Sequence, residues 1–429
     1  MHVKKDLSFT GLRKRLSRVF CGISDGRDPE KTRHTIHDVL MSGLAMMYFQ
    51  EPSMLQFQRS LEDEAHTNNL KTLFQVSSIP KDSQMRDVVD EVDPEEIEPA
   101  FNLFFRPLQR GKHLERYRVF DKYYIASIDG GDYFGSEKVH CPGCLKTEKK
   151  TVRFAHKIVQ PALMKPGVKQ VIPLAPEEVR NTDGSQKQDC EINAGKRLIK
   201  KMHRSHPKLS FIIVGDSLYS KQPMIEEILS CGNHYVLVAK PDDHKKLMEW
   251  VCEMRLLSEV IHMEFTDRRG RVHIYEWVND VPLNDNKKTL MVNYFEYWTK
   301  EGDKTAYHNS WVTDFEVDDD NVEELVKIGR CRWKIENEVF NTLKNQGYHI
   351  EHNYGHGKKH LSFNFFLLNL LAFSMHQIFE LTDNLYMAVR KKCGSKQAMW
   401  ERLRSILTVL IFNTWEDLLQ RVLTPMRFL

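Results

Sequence analysis

Two short apolar runs, each closed by an acid, restrict the architecture of this chain more than any other feature. Residues 123–128 (YYIASI) read as a strand ending in Asp129-Gly130-Gly131, and residues 211–214 (FIIV) as a buried strand ending in Gly215-Asp216-Ser217. Residues 154–164 and 170–174 carry further strand patterns. A helix with a basic face is expected over 189–203, another over 222–230, and a strand over 235–239 that stops at Lys240-Pro241. Strands alternating with helices predict an α/β layer. In such a layer, acids at the ends of parallel strands meet at one sheet edge, where these sheets bind ligands.

A third acid stands in the stretch 328–348, IGRCRWKIENEVFNTLKNQGY. Its apolar residues Ile328, Trp333, Ile335, Val339, Phe340 and Leu343 fall at three- and four-residue spacings, no Pro or Gly interrupts 330–346, and Gly347 marks a stop, so one helix is expected. Arg332, Glu336, Phe340 and Lys344 stack along one stripe of it. A carboxylate between two cations there is either a surface ion-pair ladder or a metal-binding acid beside cations that hold phosphates. Asp129 and Asp216 favour the second reading. Hard oxygen ligands suit Mg²⁺, and two such ions clamp the attacking and leaving oxygens of a phosphodiester.

The 429 residues can bury one large core or two to three ordinary domains, and 41% hydrophobic with 28% charged residues describes a soluble globular chain. A formal charge of +3 does not identify a partner, because clustering matters more than the sum. Basic clusters at 146–150, 196–204, 268–271 and 352–360 are offset by acidic runs at 90–98 and 316–324. Eight scattered cysteines and no secretory segment predict a reducing cytoplasm. The apolar run 361–375 reads as a buried helix too short to span a bilayer. Residues 1–115 read as helical, either helix-turn-helix elements that bind DNA ends or a packing subdomain. Strand patterns over 272–278, 289–298 and 306–313 predict a β-rich antiparallel insertion. The expected organisation is a helical region at 1–115, a core in two parts at 116–244 and 314–380 split by an insertion at 245–313, and a helical region at 381–429.

The ordered set Asp129, Asp216 and Glu336 resembles the catalytic acids of the DDE transposases of bacterial insertion sequences. More narrowly it is similar to the insertion-sequence-four group, which carries a Tyr-Arg-Glu-Lys signature around the last acid; Arg332-Trp333-Lys334-Ile335-Glu336 supplies its Arg and Glu. The signature Tyr falls on Gly329, and Lys344 stands eight positions after Glu336 where seven is usual. Glu338 is a competing acid without the Arg spacing. The resemblance implies an α/β, ribonuclease-H-like catalytic core with a β-rich insertion, flanked by helical regions. It further implies Mg²⁺, with Mn²⁺ as substitute, on the three acids, and cleavage and strand transfer on double-stranded DNA by a homodimer that needs no membrane. Arg332, Lys344 and Lys240 are then candidates to neutralise phosphate, Trp298 to stack on an unpaired base, and Trp333 to touch DNA. The helical stretch 387–428 is a candidate dimer interface, its apolar positions fitting either that or ordinary packing. A nuclease that cuts without rejoining, and a catalytically silent DNA-binding relic, are the alternatives.

His140-Cys141-Pro142-Gly143-Cys144 is a Cys-x-x-Cys knuckle with His156 and Cys190 downstream. These four ligands suit a structural Zn²⁺; two reduced thiols in a turn are the plainer reading, and a redox pair is disfavoured because no helix start follows. The loop 353–360 is basic and Gly-containing, fit to lie against DNA backbone, and its histidines show no metal-like spacing.

Overall fold

The computed structural model describes residues 5–61, 64–148, 151–180, 188–302 and 304–424; Lys149, Lys150, Asp303 and the end of the 387–428 stretch lie outside them. Strands β1 (Arg118–Val119), β2 (Tyr123–Ser136), β3 (Leu145–Glu148), β4 (Val152–Lys165), β5 (Val168–Pro173) and β6 (Glu177–Val179) precede the helix Glu191–Ser205. Then follow β7 (Phe211–Gly215), the helix Gln222–Ser230, β8 (His234–Val238), and a four-stranded run of β9 (Ile261–Thr266), β10 (Val272–Pro282), β11 (Met291–Glu301) and β12 (Lys304–Thr313). These strands make one sheet, ordered β3-β4-β2-β7-β8-β12-β11-β10-β9, with β1, β5 and β6 pairing at its margins.

The centre of the sheet is the α/β layer expected. β2 and β4 pair antiparallel, as do β4 and β5, whereas β7 runs parallel to β2 and β8 parallel to β7. Three antiparallel strands followed by two that return parallel to the first is the ribonuclease-H-like arrangement. Every residue of β7 is buried, as a strand covered on both faces by helices requires.

Two boundaries differ from expectation. β2 does not stop at Ile128 but continues to Ser136, because β4 pairs with it as far as Ser136 opposite Phe154. Its parallel pairing with β7 ends at Ser127 opposite Val214. Asp129 therefore sits just past the last shared rung rather than past the strand. The insertion is antiparallel as expected, with an additional strand, β9, whose mostly exposed side chains left no alternation to read. It is not a separate layer: β12 pairs with β8, Trp311 opposite Val238, so the insertion extends the core sheet.

The two helical regions close on each other. The helix Ile36–Tyr48, capped by Thr35, is almost wholly buried against Leu361–Thr382. That second helix is longer than the apolar run suggested. By length and composition it could cross a membrane, but 83% of its apolar window is buried within the protein, so it serves as the core of the helical body. Asn69 donates to the carbonyls of Leu407 (3.0 Å) and Leu410 (2.7 Å) and accepts from Phe412 N–H (2.8 Å). Arg404 donates to the carbonyls of Phe49 and Gln50. Tyr48, Trp400 and Trp415 share one aromatic cluster.

Candidate active site

The third acid reaches the sheet on a helix that is interrupted, not continuous. Val322–Arg330 is α-helical; backbone bonds from Cys331, Arg332, Lys334 and Ile335 then run back three residues, a tight turn. A π-helical stretch, Ile335–Phe340, follows, and Asn341–Asn345 is α-helical again. A π turn holds one residue more than an α turn. The eight-residue step from Glu336 to Lys344 thus has a local cause. The break also corrects the face reading: Trp333, expected among the core residues, is 48% exposed.

At this break Arg332 becomes the pivot of the acids. Its guanidinium donates to Glu336 and lies 3.8 Å from an Asp129 oxygen. Burial pulls the Arg332 pKa down, but its hydrogen bond to Glu336 and the charges of Glu336, Asp129 and Asp216 outweigh this and hold it above its ordinary value. Burial pushes Asp129 up to about 7; Arg332 opposes the shift, and the charges of Asp216, Glu336 and Glu191 add to it. All three predicted acids are therefore within electrostatic reach of one another. It is Glu336 that pairs with Arg332, which sets the competing Glu338 aside. Asp216 follows β7 directly and accepts the Leu218 N–H (3.0 Å), fixing its turn. Each acid thus owes its place to a different element.

Glu191, at the first turn of its helix, is a fourth carboxylate that the sequence reading passed over. It accepts from Tyr219 Oη (2.7 Å) and the Gly130 backbone, and burial raises its pKa, with Asp216 adding to the effect. The two glycines after Asp129 explain how it fits. A Cβ on Gly130 would stand 2.2 Å from the Glu191 carboxyl group, and one on Gly131 would stand 2.4 Å from the Phe340 ring. The strand is bare there so that both flanking helices can press against it. The Gly-Gly pair was the available signal.

The other candidates scatter. Lys344 is paired with Glu351 (2.8 Å). Lys240 is exposed after β8, its carbonyl taking the N–H groups of Asp243 and His244. Trp298 stacks on His308 at 5.0 Å and 2° within the β11–β12 pair, so one of its faces is already covered. Gly329 packs beneath Trp311, where a Cβ would lie 2.5 Å from the indole nitrogen; no Tyr fits at that signature position. Cys190 is exposed at the start of the Glu191 helix and takes no part in a cluster. His356, from the loop given no metal role, instead joins Cys141, Cys144 and His156, with ligand atoms all within 4.8 Å of one another. Among the described residues that is the one such group; the acids stand around Arg332 instead of closing on each other.

Residues 163–374 match the family model described as transposase DDE domain, and residues 17–105 match its companion, described as DDE_Tnp_1-associated. Asp216 and Glu336 fall inside the matched domain, and Asp129 lies ahead of it. No curated protein matches the chain. Among solved structures, a piggyBac transposase synaptic complex with hairpin DNA is similar at 12% identity and a TM-score of 0.41, over 99% of this chain and 82% of that one. With the domain and its companion matched in chain order, this protein is a DNA transposase of the DDE type.

Proposed function

We propose that the protein cuts the ends of a mobile DNA element and joins them to target DNA by divalent-metal-dependent attack on phosphodiesters, with Asp129, Asp216 and Glu336 as the acids. The observation that carries this is Asp129: buried among like charges, it is held near pH 7 beside a single arginine. The donor set fits Mg²⁺ or Mn²⁺, being carboxylate oxygens that repel one another until a cation separates them. When bound, such ions supply an activated water or 3′-hydroxyl and neutralise charge on the leaving oxygen.

The chain's own residues do the rest. Asp129 on β2 and Asp216 just past the neighbouring parallel strand β7 fix where the reacting oxygens sit. Glu336 brings its carboxylate from the π-helical stretch, and Arg332 holds it in position. Glu191 braces Asp129 through the Gly130 backbone. The Arg332–Glu336 pair also supports placement in the insertion-sequence-four group, although Gly329 replaces the signature Tyr. Handling two element ends together requires a homodimer on double-stranded DNA. The test is a plasmid carrying the coding frame and its flanks, incubated with purified protein and Mg²⁺. Strand-transfer products that vanish with Asp129→Asn or Glu336→Gln support the reading. Cleavage without joining, or products undiminished by both substitutions, would overturn it.

A further inference from the structure

We infer that Cys141, Cys144, His156 and His356 form a structural zinc site that ties the sheet edge to the loop leaving the Glu336 helix. Four of the six distances between ligand atoms match the edges of a metal-centred tetrahedron. Bond lengths of about 2.3 Å to sulfur and about 2.0 Å to nitrogen give tetrahedral edges of about 3.8 Å between two sulfurs and about 3.5 Å between sulfur and nitrogen. The Cys141 and Cys144 Sγ atoms are 3.8 Å apart. His156 Nε2 lies 3.2 Å and 3.4 Å from them, and His356 Nδ1 lies 3.8 Å from Cys144 Sγ. A disulfide would need the sulfurs at about 2.0 Å, so this is not one.

The surroundings are those of a ligand set. The knuckle closes as a turn, with Cys144 N–H on the Cys141 carbonyl (3.1 Å) and Cys141 N–H on Cys144 Sγ (3.4 Å). The far nitrogen of His156, Nδ1, faces the Glu178 carboxylate at 3.9 Å; Glu178 also accepts from Tyr133 Oη and pairs with Arg180. A carboxylate behind a histidine orients the ring with its other nitrogen toward a metal. Two thiolates and two imidazoles select Zn²⁺ over harder cations, and four protein ligands leave no open position for substrate.

The site's place in the fold gives its role. Cys141 and Cys144 lie in the β2–β3 connection, and His156 lies on β4 opposite Phe134. His356 lies between the Glu336 helix and Leu361–Thr382, its ring 4.1 Å from that of Phe134. A zinc ion there would fix where the chain goes after the third acid.

The test uses full-length protein without a histidine tag, purified reduced from zinc-supplemented cells. Metal analysis should find stoichiometric zinc, kept in Cys190→Ser and lost in Cys141→Ser and His356→Ala. Should those variants fail to fold, Co²⁺ exchanged into the unaltered protein decides: intense tetrahedral bands with a thiolate charge-transfer band support the site. Protein free of zinc that also takes up no Co²⁺, weak octahedral bands, or metal lost from Cys190→Ser would overturn it. These readouts are independent of DNA cleavage, so the site and the catalytic reading stand or fall separately.

Discussion

Asp129 illustrates how a single side chain acquires its properties from its neighbours. Its folded pKa of about 7 lies above that of an exposed carboxyl, so between about pH 4 and pH 7 the folded state binds a proton that the unfolded state has lost. Stability from this group therefore falls as pH rises through that window and stays low above it. In metal-free protein Asp129→Asn should stabilise the fold at pH 8 by at most a few kcal/mol, since one pKa unit is about 1.4 kcal/mol, and so raise the melting temperature. The same substitution should abolish cleavage, read in the plasmid assay. A metal ion must displace that proton, so Mn²⁺ should raise the melting temperature more at pH 8 than at pH 6; an equal rise at both would contradict the assignment. The residue was legible from its position at the end of an apolar run. Its partner Glu191 was not, because one acid at a helix start is common and only contact with Gly130 distinguishes it.

Among the elements, the broken helix around Arg332 departs furthest from its sequence pattern. Its three- and four-residue spacings promised one regular helix, yet Gly329 pressed against Trp311 and the π turn at Ile335–Phe340 reset its phase. Periodicity reports which residues are apolar but not where a backbone must yield to a neighbour. The strands β4, β7, β8 and β10 to β12 were legible for the converse reason: β-branched and aromatic runs bounded by turn residues leave little choice. Gly131→Ala is predicted to displace the Phe340 ring and with it Glu336, lowering the cleavage rate tenfold or more while circular dichroism stays unchanged. Gly329→Tyr should destabilise by about 3 kcal/mol or more, because overpacking there meets an indole with no room to retreat. Chemical denaturation measures that difference directly.

At the scale of the whole molecule, terminal regions read as separate segments turn out to be one body. Asn69 alone satisfies three backbone groups some 340 residues away in sequence. Asn69→Ala should cost about 2–3 kcal/mol, visible as a lower denaturation midpoint. Asp90 accepts the N–H groups of Lys358, Lys359, His360 and Leu361. Burial works against its charged form, but those four donors prevail and depress its pKa. The stability it gives is present above the ordinary carboxyl pKa and is lost as pH falls through the depressed value, so amide protection at 358–361, taken relative to the intrinsic exchange rate at each pH, should fall in acid. The stretch 387–428 was open to either an interface or ordinary packing; Trp400 and Trp415 from it pack on Tyr48, so a chain ending near Phe379 should lose solubility.

One feature of the sheet reaches beyond the acids. From β2 through β7, β8 and β12 outward to β9 each strand is hydrogen-bonded to the next, so a push on the outlying hairpins is carried through the sheet to the strands that position the acids.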